Sequence, residues 1–145
     1  MDFSLNEDQR MIRDSVRKFV QERIIPNARQ WEHDGKFPRD LLYKMGELGY
    51  LGVPIPEEYG GAGLDYISEA IVFEEVGYGD SSVRTTLSVQ MSLVELTILK
   101  WGTEAQKQRY LPDLCSGQSI GCFGLTEPDH GSDATHMETR AVPET

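Results

Sequence analysis

Apolar residues recur at helical spacing along most of the chain before residue 117. The first run places apolar side chains on one face of a helix, at Ile12, Val16, Phe19 and Val20. Ser4 or Asn6 can cap the start of this helix, because short polar side chains accept hydrogen bonds from the first backbone N–H groups. Pro26 lacks the N–H that a helix uses and should interrupt it. A second helical piece is then expected from Asn27 to about Glu32.

The same spacing predicts four further helices. They run over Arg39–Leu48, from the cap Asp65 to about Tyr78, over Val83–Leu99, and from the cap Thr103 to about Tyr110. The helix over Val83–Leu99 is apolar on most faces, which is typical of the central helix of a bundle. The last helix should end near Tyr110, because a proline disfavours helical geometry in the residue before it and Pro112 follows closely.

The pattern changes after residue 117. Small and apolar residues predict a strand over Ser119–Leu125, and the turn-forming residues after it predict a loop over Thr126–Asp133. One short helical turn and a second strand from Thr139 are expected to follow. The predicted fold is therefore an all-α domain of about six helices over residues 1–117. The first strand or strands of a β domain follow over residues 118–145.

A long loop over residues 53–65 separates two of the predicted helices. It carries two prolines and three glycines, which argue against regular structure. The run Gly61-Ala62-Gly63 could suggest a dinucleotide-binding loop. Tyr66 stands where the third glycine of that motif should be, and no strand precedes the run. We interpret this loop as a structural connection.

Composition narrows the classes of function. The 145 residues include 14 Lys and Arg against 24 Asp and Glu, so the net charge of −10 disfavours binding to nucleic acid or to an anionic membrane. No stretch approaches the roughly 20 apolar residues that span a bilayer, and the first residues lack the features of a signal peptide. A cytoplasmic location is expected. The cysteines and histidines lack the spacing of metal ligands, so no metal site is predicted: Cys115, Cys122, His33, His130 and His136.

The residues from Cys122 to Asp133 form the most specific motif in the chain. Cys-Phe-Gly-Leu-Thr-Glu-Pro-Asp-His-Gly-Ser-Asp resembles the flavin-contacting segment of the acyl-CoA dehydrogenase family. The resemblance implies FAD as cofactor, bound by residues in and after the predicted strand: Phe123, Gly124, Leu125, Thr126, Gly131 and Ser132. It also places Ser132 near the pantetheine of an acyl-CoA substrate. On local chemistry alone, the same residues form a strand, a turn and a helix cap that bind no ligand.

Several polar residues stand out in the otherwise apolar helix after Ser82: Arg84, Thr85, Thr86, Ser88 and Gln90. Ser-Val-Arg-Thr-Thr-Leu-Ser-Val-Gln resembles the segment of glutaryl-CoA dehydrogenases in which an arginine and a serine four residues later meet the distal carboxylate of the substrate. On that resemblance, Arg84, Thr85 and Ser88 bind glutaryl-CoA. The residues alone allow another interpretation, an exposed first-turn arginine paired with Asp80. The Asp129-His130 pair and the Thr85-Thr86 pair depart from the subfamily, which leaves short-chain acyl-CoA substrates open.

The resemblance also implies a reaction and a set of partners. Family members have a β-barrel middle domain and a C-terminal helical bundle, and they oxidise acyl-CoA at Cα–Cβ with a glutamate base from that bundle. Glutaryl-type members also decarboxylate the product to crotonyl-CoA. No catalytic residue is therefore assigned in this chain, and Glu74, Glu75 and Glu127 are not given the role of the base. Electron-transfer flavoprotein as acceptor and a homo-oligomer at full length are implied. A non-catalytic helical module remains an alternative hypothesis.

Overall fold

The computed structural model describes residues 4–143. The α-helices are α1 (Glu7–Phe19), α2 (Ala28–Asp34), α3 (Arg39–Glu47), α4 (Tyr66–Gly79), α5 (Ser81–Ser88), α6 (Leu96–Trp101) and α7 (Glu104–Cys115). A π-helical segment, π1 (Val20–Ile24), continues α1, and a second, π2 (Val89–Glu95), joins α5 to α6. Short 3₁₀ turns lie at Glu57–Tyr59 and Ala134–His136. With the π segments counted as continuations, the described residues form six helical rods, which confirms the predicted all-α domain.

Three of the helices, α1, α4 and α7, begin at the side-chain cap that the sequence predicts. The side chain of Asn6 accepts from the backbone N–H of Gln9 at 2.8 Å, and Asp65 accepts from that of Ser68 at 2.7 Å. Thr103 forms a capping box with Gln106 at the start of α7. Each cap satisfies a backbone donor that has no partner inside its own helix. The predicted caps at Asn6, Asp65 and Thr103 are confirmed.

The predicted end of the last helix is wrong. α7 does not stop near Tyr110 but continues through Pro112 to Cys115. Proline removes one backbone hydrogen bond from this turn. Burial of Leu111, Leu114 and Cys115 offsets the loss, because their side chains are at most 5% exposed. Packing in the core therefore overrides the local preference of the chain.

The predicted strands are also not formed among the described residues. Ser119–Leu125 and the chain from residue 139 to 143 have irregular backbone. A strand exists only where a second segment pairs with it, and no other described segment does so here. The β domain and its boundary at residue 118 stay predictions, and residues 144 and 145 lie outside the described part of the chain.

The core of the helical domain lies between α1, α3, α4 and α5. The buried residues of this cluster are Val16, Val20, Ile24, Leu41, Leu42, Met45, Tyr50, Leu51, Val53, Val72, Val76, Val83, Leu87 and Met91. Polar contacts fix α1 against α4 at both ends, since Gln9 donates to Asp65 at 2.8 Å and Arg17 forms an ion pair with Glu75. Glu75 is thus a helix-packing charge.

The loop over residues 53–65 is a compact structural connection, as the sequence predicted. It folds back on itself through backbone hydrogen bonds of 2.8 Å from Ala62 to Gly52, from Gly63 to Ile55 and from Leu64 to Val53. The described residues before Gly61 contain no strand that could begin a dinucleotide-binding unit. The loop positions α4, which packs directly against α5.

Candidate functional site

Arg84 and Ser88 lie one turn apart on α5. The Nη1 atom of Arg84 is 3.5 Å from the Oγ atom of Ser88, at the limit of a hydrogen bond. Asp80 forms no ion pair with Arg84 in the described structure, and its carboxylate accepts from the backbone N–H of Val83 at 2.8 Å. The alternative of an arginine held by Asp80 is therefore wrong. The guanidinium extends along the helix towards Ser88.

A glycine on the neighbouring helix makes room for Arg84. A Cβ added at Gly77 of α4 would lie 3.3 Å from Cγ of Arg84, which is closer than ordinary van der Waals contact. The aliphatic part of Arg84 thus packs over the backbone of α4, and the residue is partly buried. This contact with α4 fixes the direction in which the Arg84 side chain points.

The neighbouring polar residues mostly bond to the helix itself. Thr85 donates to the carbonyl of Ser81 at 2.9 Å, and Ser88 donates to the carbonyl of Thr85 at 3.0 Å. A hydroxyl that donates in this way can still accept a hydrogen bond from a ligand. Both residues keep that capacity beside Arg84.

The predicted flavin-facing segment is exposed. Phe123 and Leu125 are 46% and 40% exposed, which is high for large apolar side chains. Gly124 and Gly131 have open space where a side chain would be, with nothing within 4 Å. Thr126 and Ser132 are also exposed. The segment thus presents an accessible backbone and two apolar side chains, an arrangement that a flat ring system can cover.

Glu127 closes the loop after this segment. Its two carboxylate oxygens accept from the backbone N–H groups of Glu138 at 2.7 Å and Thr139 at 2.9 Å. The backbones of Glu127 and His130 also exchange two hydrogen bonds of 3.1 and 3.2 Å. The hydrogen bonds from Thr139 and Glu138 lower the pKa of Glu127. Glu127 is not assigned as the base, and the structure gives it this role of holding the loop.

Replacing Glu127 with alanine should open the loop without unfolding the helical domain. The amide protons of Glu138 and Thr139 lose their acceptors and should exchange faster with solvent, which NMR measures directly. The pKa of Glu127 in the folded protein lies below its usual value of 4.5. The loop should therefore be fully held by the Glu127 carboxylate above pH 4.5 and should open as the pH falls through the lowered pKa.

Asp129→Ala removes an exposed carboxylate from the same loop and serves as the control. Equal exchange of the Glu138 and Thr139 amides in wild type and Glu127→Ala would show that Glu127 does not hold the loop.

Two surface cavities lie away from the predicted residues. A groove of about 930 Å³ lies between α1, α2 and α3, with Phe19, Trp31 and Tyr50 in its wall. A second cavity of about 460 Å³ lies between α2 and the start of α5. Neither is lined by a predicted cofactor or substrate residue. An exposed segment that forms only one wall of a site encloses no cavity by itself. The two cavities therefore do not mark the position of the predicted flavin and substrate sites.

The described residues show neither a metal site nor a membrane-spanning helix. Residues 4–143 contain no group of three or more His, Cys, Asp or Glu side chains arranged to hold a metal ion. Within the same range, none of the helices has the length and apolar character needed to cross a bilayer.

Comparison with known proteins then decides the family. Residues 6–118 match the family model described as acyl-CoA dehydrogenase, N-terminal domain. The chain belongs to this family. The match covers the helical rods α1–α7, and the resemblance inferred from the sequence motifs is confirmed.

Curated members of the family are similar over nearly the whole chain. A probable acyl-CoA dehydrogenase of Bacillus subtilis, YngJ, is 44% identical over 142 residues, which cover 98% of this chain and 37% of that protein. The glutaryl-CoA dehydrogenase of Desulfococcus multivorans is 43% identical over 144 residues (97% and 37%). The mitochondrial short-chain acyl-CoA dehydrogenase of rat is 41% identical over 140 residues (97% and 34%). The chain thus spans little more than a third of the length of these relatives.

A solved structure shows the same fold. A glutaryl-CoA dehydrogenase in complex with glutaryl-CoA superposes on this chain with a TM-score of 0.90 at 44% sequence identity. The alignment covers 94% of this chain and 35% of that structure.

Two residues with long-range contacts beside the predicted site residues are not identified by sequence spacing. Gln90 stands out in the sequence only as a polar residue in an apolar helix, whereas its three hydrogen bonds reach parts of the chain 24 to 31 residues away. Gly77 gave no signal, since its importance depends on where Arg84 packs. Such contacts between distant segments cannot be read from local spacing.

Proposed function

We propose that the chain forms the N-terminal part of an FAD-dependent acyl-CoA dehydrogenase that oxidises glutaryl-CoA at the Cα–Cβ bond. Membership of the family and the similarity to acyl-CoA dehydrogenases support the reaction class. The observation that carries the choice of substrate is the environment of Arg84.

Arg84 has the properties of a carboxylate receptor. Its guanidinium has five N–H donors, and its one side-chain partner in the described structure is the hydroxyl of Ser88 at 3.5 Å. No carboxylate lies within ion-pair distance of it among the described residues. A carboxylate at the end of an acyl chain can accept two parallel hydrogen bonds from such a group. Ser88 and Thr85 would supply further polar contacts.

The exposed segment over Phe123–Thr126 fits a flavin. The open space at Gly124 and Gly131 lets a ring or a phosphate approach the backbone closely. Thr126 would donate to the ring, while Phe123 and Leu125 would lie against it and exclude water. Ser132 would bond the pantetheine or the pyrophosphate. The bound flavin would supply an acceptor for the hydride that leaves the β-carbon.

Replacing Arg84 with methionine should weaken the binding of glutaryl-CoA by about tenfold to a hundredfold, since a hydrogen bond to a charged group contributes roughly 1.5–3 kcal/mol. Titration calorimetry of the 145-residue chain, with FAD present, measures the affinity for glutaryl-CoA and for butyryl-CoA. Butyryl-CoA lacks the distal carboxylate, so its affinity should not change. Arg84→Lys keeps the charge without the bidentate geometry and should give an intermediate value.

Arg29→Met, which removes an exposed arginine on α2, is the matched control. Equal affinity of the wild-type chain for the two thioesters would favour a short-chain substrate, as in the rat relative. Binding of neither thioester and no quenching of FAD fluorescence would favour the non-catalytic helical module.

The remaining partners follow from the family alone. Electron-transfer flavoprotein as electron acceptor and homo-oligomer formation at full length are proposals of this kind, whereas the cytoplasmic location stays an expectation from the sequence. The catalytic base is not proposed among the residues of this chain.

A further inference from the structure

Gln90 joins three separate parts of the chain. It lies in π2, is 3% exposed, and is two residues after Ser88 on the same continuous helix. Its Nε2 atom donates to the carbonyls of Leu114 and Ser119, both at 3.0 Å. Its Oε1 atom accepts from the backbone N–H of Gly121 at 2.8 Å. A buried amide with both donors and its oxygen in use is a fully satisfied polar group, which holds its partners in one arrangement.

The packing of Gly121 is a second, independent contact at the junction between π2 and the segment that begins at Gly121. A Cβ added at Gly121 would lie 2.5–2.9 Å from the side-chain atoms of Val94 in π2. Real Cβ atoms essentially never approach so closely, so the absence of a side chain lets the backbone of Gly121 rest on π2. The hydrogen bond that Gly121 donates to Gln90 and its direct packing on Val94 therefore hold the same residue.

The π-helical geometry lies at this junction. π2 contains both Gln90 and Val94, and α5 before it carries Arg84 and Ser88. π-helical segments are rare, and they occur frequently where a helix carries function. The helix that presents the proposed carboxylate receptor is thus the same helix that holds the start of the exposed segment.

The distance along the chain from Gly121 to the exposed segment is short. Phe123 is two residues further on, so its Cα lies within about 7 Å of that of Gly121 at full extension. Fixing Gly121 on π2 therefore limits where Phe123–Thr126 can lie relative to Arg84. Asp113 adds a backbone acceptor for the N–H of Ser119 at 3.0 Å on the other side of the junction.

We propose that Gln90 is a positioning residue that holds the segment beginning at Gly121 at a fixed place relative to Arg84 and Ser88. It sets the separation between the site for the distal carboxylate and the site for the flavin. The functional half of this inference rests on the proposed function, whereas the structural half stands on the hydrogen bonds alone.

The test replaces Gln90 with methionine, which keeps the length of the side chain and removes all three hydrogen bonds. The exchange rate of the Gly121 amide, measured by NMR, should rise at least about tenfold, because its acceptor is lost. A nitroxide on Cys122, which is exposed while Cys115 is buried, should become more mobile in its EPR spectrum. Amides of α1 and α4 should not change. Gln108→Met, on the exposed side of α7, is the matched control.

A second variant covers the case in which Gln90→Met does not fold. Gly121→Ala leaves Gln90 intact but forces the segment away from Val94, so the Cys122 label should become mobile. Gly124→Ala is its control for placement of the segment, because nothing lies within 4 Å of a Cβ there. A Gly121 amide that exchanges within twofold of wild type in Gln90→Met, or labels that keep wild-type mobility in both variants, would overturn the proposal.

The ligand titrations separate this inference from the proposed function. If the wild-type chain binds FAD and glutaryl-CoA, Gln90→Met should weaken the binding of FAD at least about fivefold, because a loosened segment must be ordered again on binding. A loosened segment with unchanged affinity for both ligands would refute the positioning role. If the wild-type chain binds neither ligand, the proposed function fails, and the exchange and EPR results still decide whether Gln90 holds the segment.

Discussion

Replacing Glu95 with methionine should stabilise the protein by about 3 kcal/mol at pH 7 and by much less at pH 4. Glu95 lies in π2 and its side chain is 0% exposed. Neither carboxylate oxygen has a hydrogen-bond partner in the described structure. A buried polar group without a partner destabilises the fold, and an ionised one does so far more.

The pH dependence follows from the pKa of this carboxyl. Burial, with a smaller contribution from the nearby charge of Glu69, raises the pKa of Glu95 from 4.5 to about 9. The Cys115 thiol offsets part of this effect without forming a hydrogen bond of ordinary geometry. Folded Glu95 therefore keeps its proton at pH 7, whereas the unfolded chain releases it. Stability is complete below pH 4.5 and is lost as the pH rises from there to about 9, at roughly 1.4 kcal/mol per pH unit.

Urea unfolding of wild type and Glu95→Met between pH 4 and pH 9 measures this directly. The difference in free energy of unfolding between the two should grow with pH. Glu74→Met, which replaces an exposed glutamate on α4, is the control and should show no such growth. Glu69 is also buried and accepts from Ser92 at 3.0 Å. Burial raises the pKa of Glu69, which adds to the same trend in both proteins. A difference that is constant with pH would show that Glu95 is ionised in the folded protein.

Replacing Gly61 with alanine should destabilise the protein by about 3 kcal/mol, near the upper end for overpacked sites. A Cβ at this position would overlap the carbonyl oxygen of Ile55 and lie 2.5 Å from its carbonyl carbon. Both are backbone atoms in a folded connection, and they cannot rotate away as a side chain would. The same carbonyl accepts from the backbone N–H of Gly63 at 2.8 Å, so that hydrogen bond is disturbed as well.

Thermal unfolding should show a decrease in Tm of about 10 °C for Gly61→Ala. Gly131→Ala is the matched control, because a Cβ at Gly131 meets nothing within 4 Å. An unchanged Tm for Gly61→Ala would mean that the connection over residues 53–65 can shift without cost and does not hold α4 in place.

Local chemistry made the helical domain predictable. Caps such as Asn6, Asp65 and Thr103 act on backbone groups three residues away, so the sequence alone identifies them. The end of α7 was not predictable in this way, because burial of Leu111 and Leu114 depends on the rest of the core. The strand over Ser119–Leu125 failed for a related reason, since pairing is a property of two segments and the sequence of one cannot supply it.

The same distinction between local contacts and contacts between distant segments applies to the candidate site. The spacing of Arg84 and Ser88 on one helix face is local, and the structure brings the two side chains together. The relation between this pair and the segment after Gly121 runs through Gln90, whose partners are remote in sequence. The motif therefore predicts which residues form the candidate site, and the contacts that hold them in place are visible only in the folded chain.

The contact between Gly77 and Arg84 has a consequence for substrate length. If Arg84 binds the far end of a dicarboxylic acyl chain as proposed, the acceptable number of carbons depends on how far the guanidinium stands from the oxidised bond. The position of the guanidinium is set by α4, because the aliphatic part of Arg84 packs on the backbone of Gly77. A bulkier residue at position 77 would move the guanidinium away from α4 without changing its chemistry. Gly77, which has no functional side chain, would thus help to determine the length of the acyl chain that the site accepts.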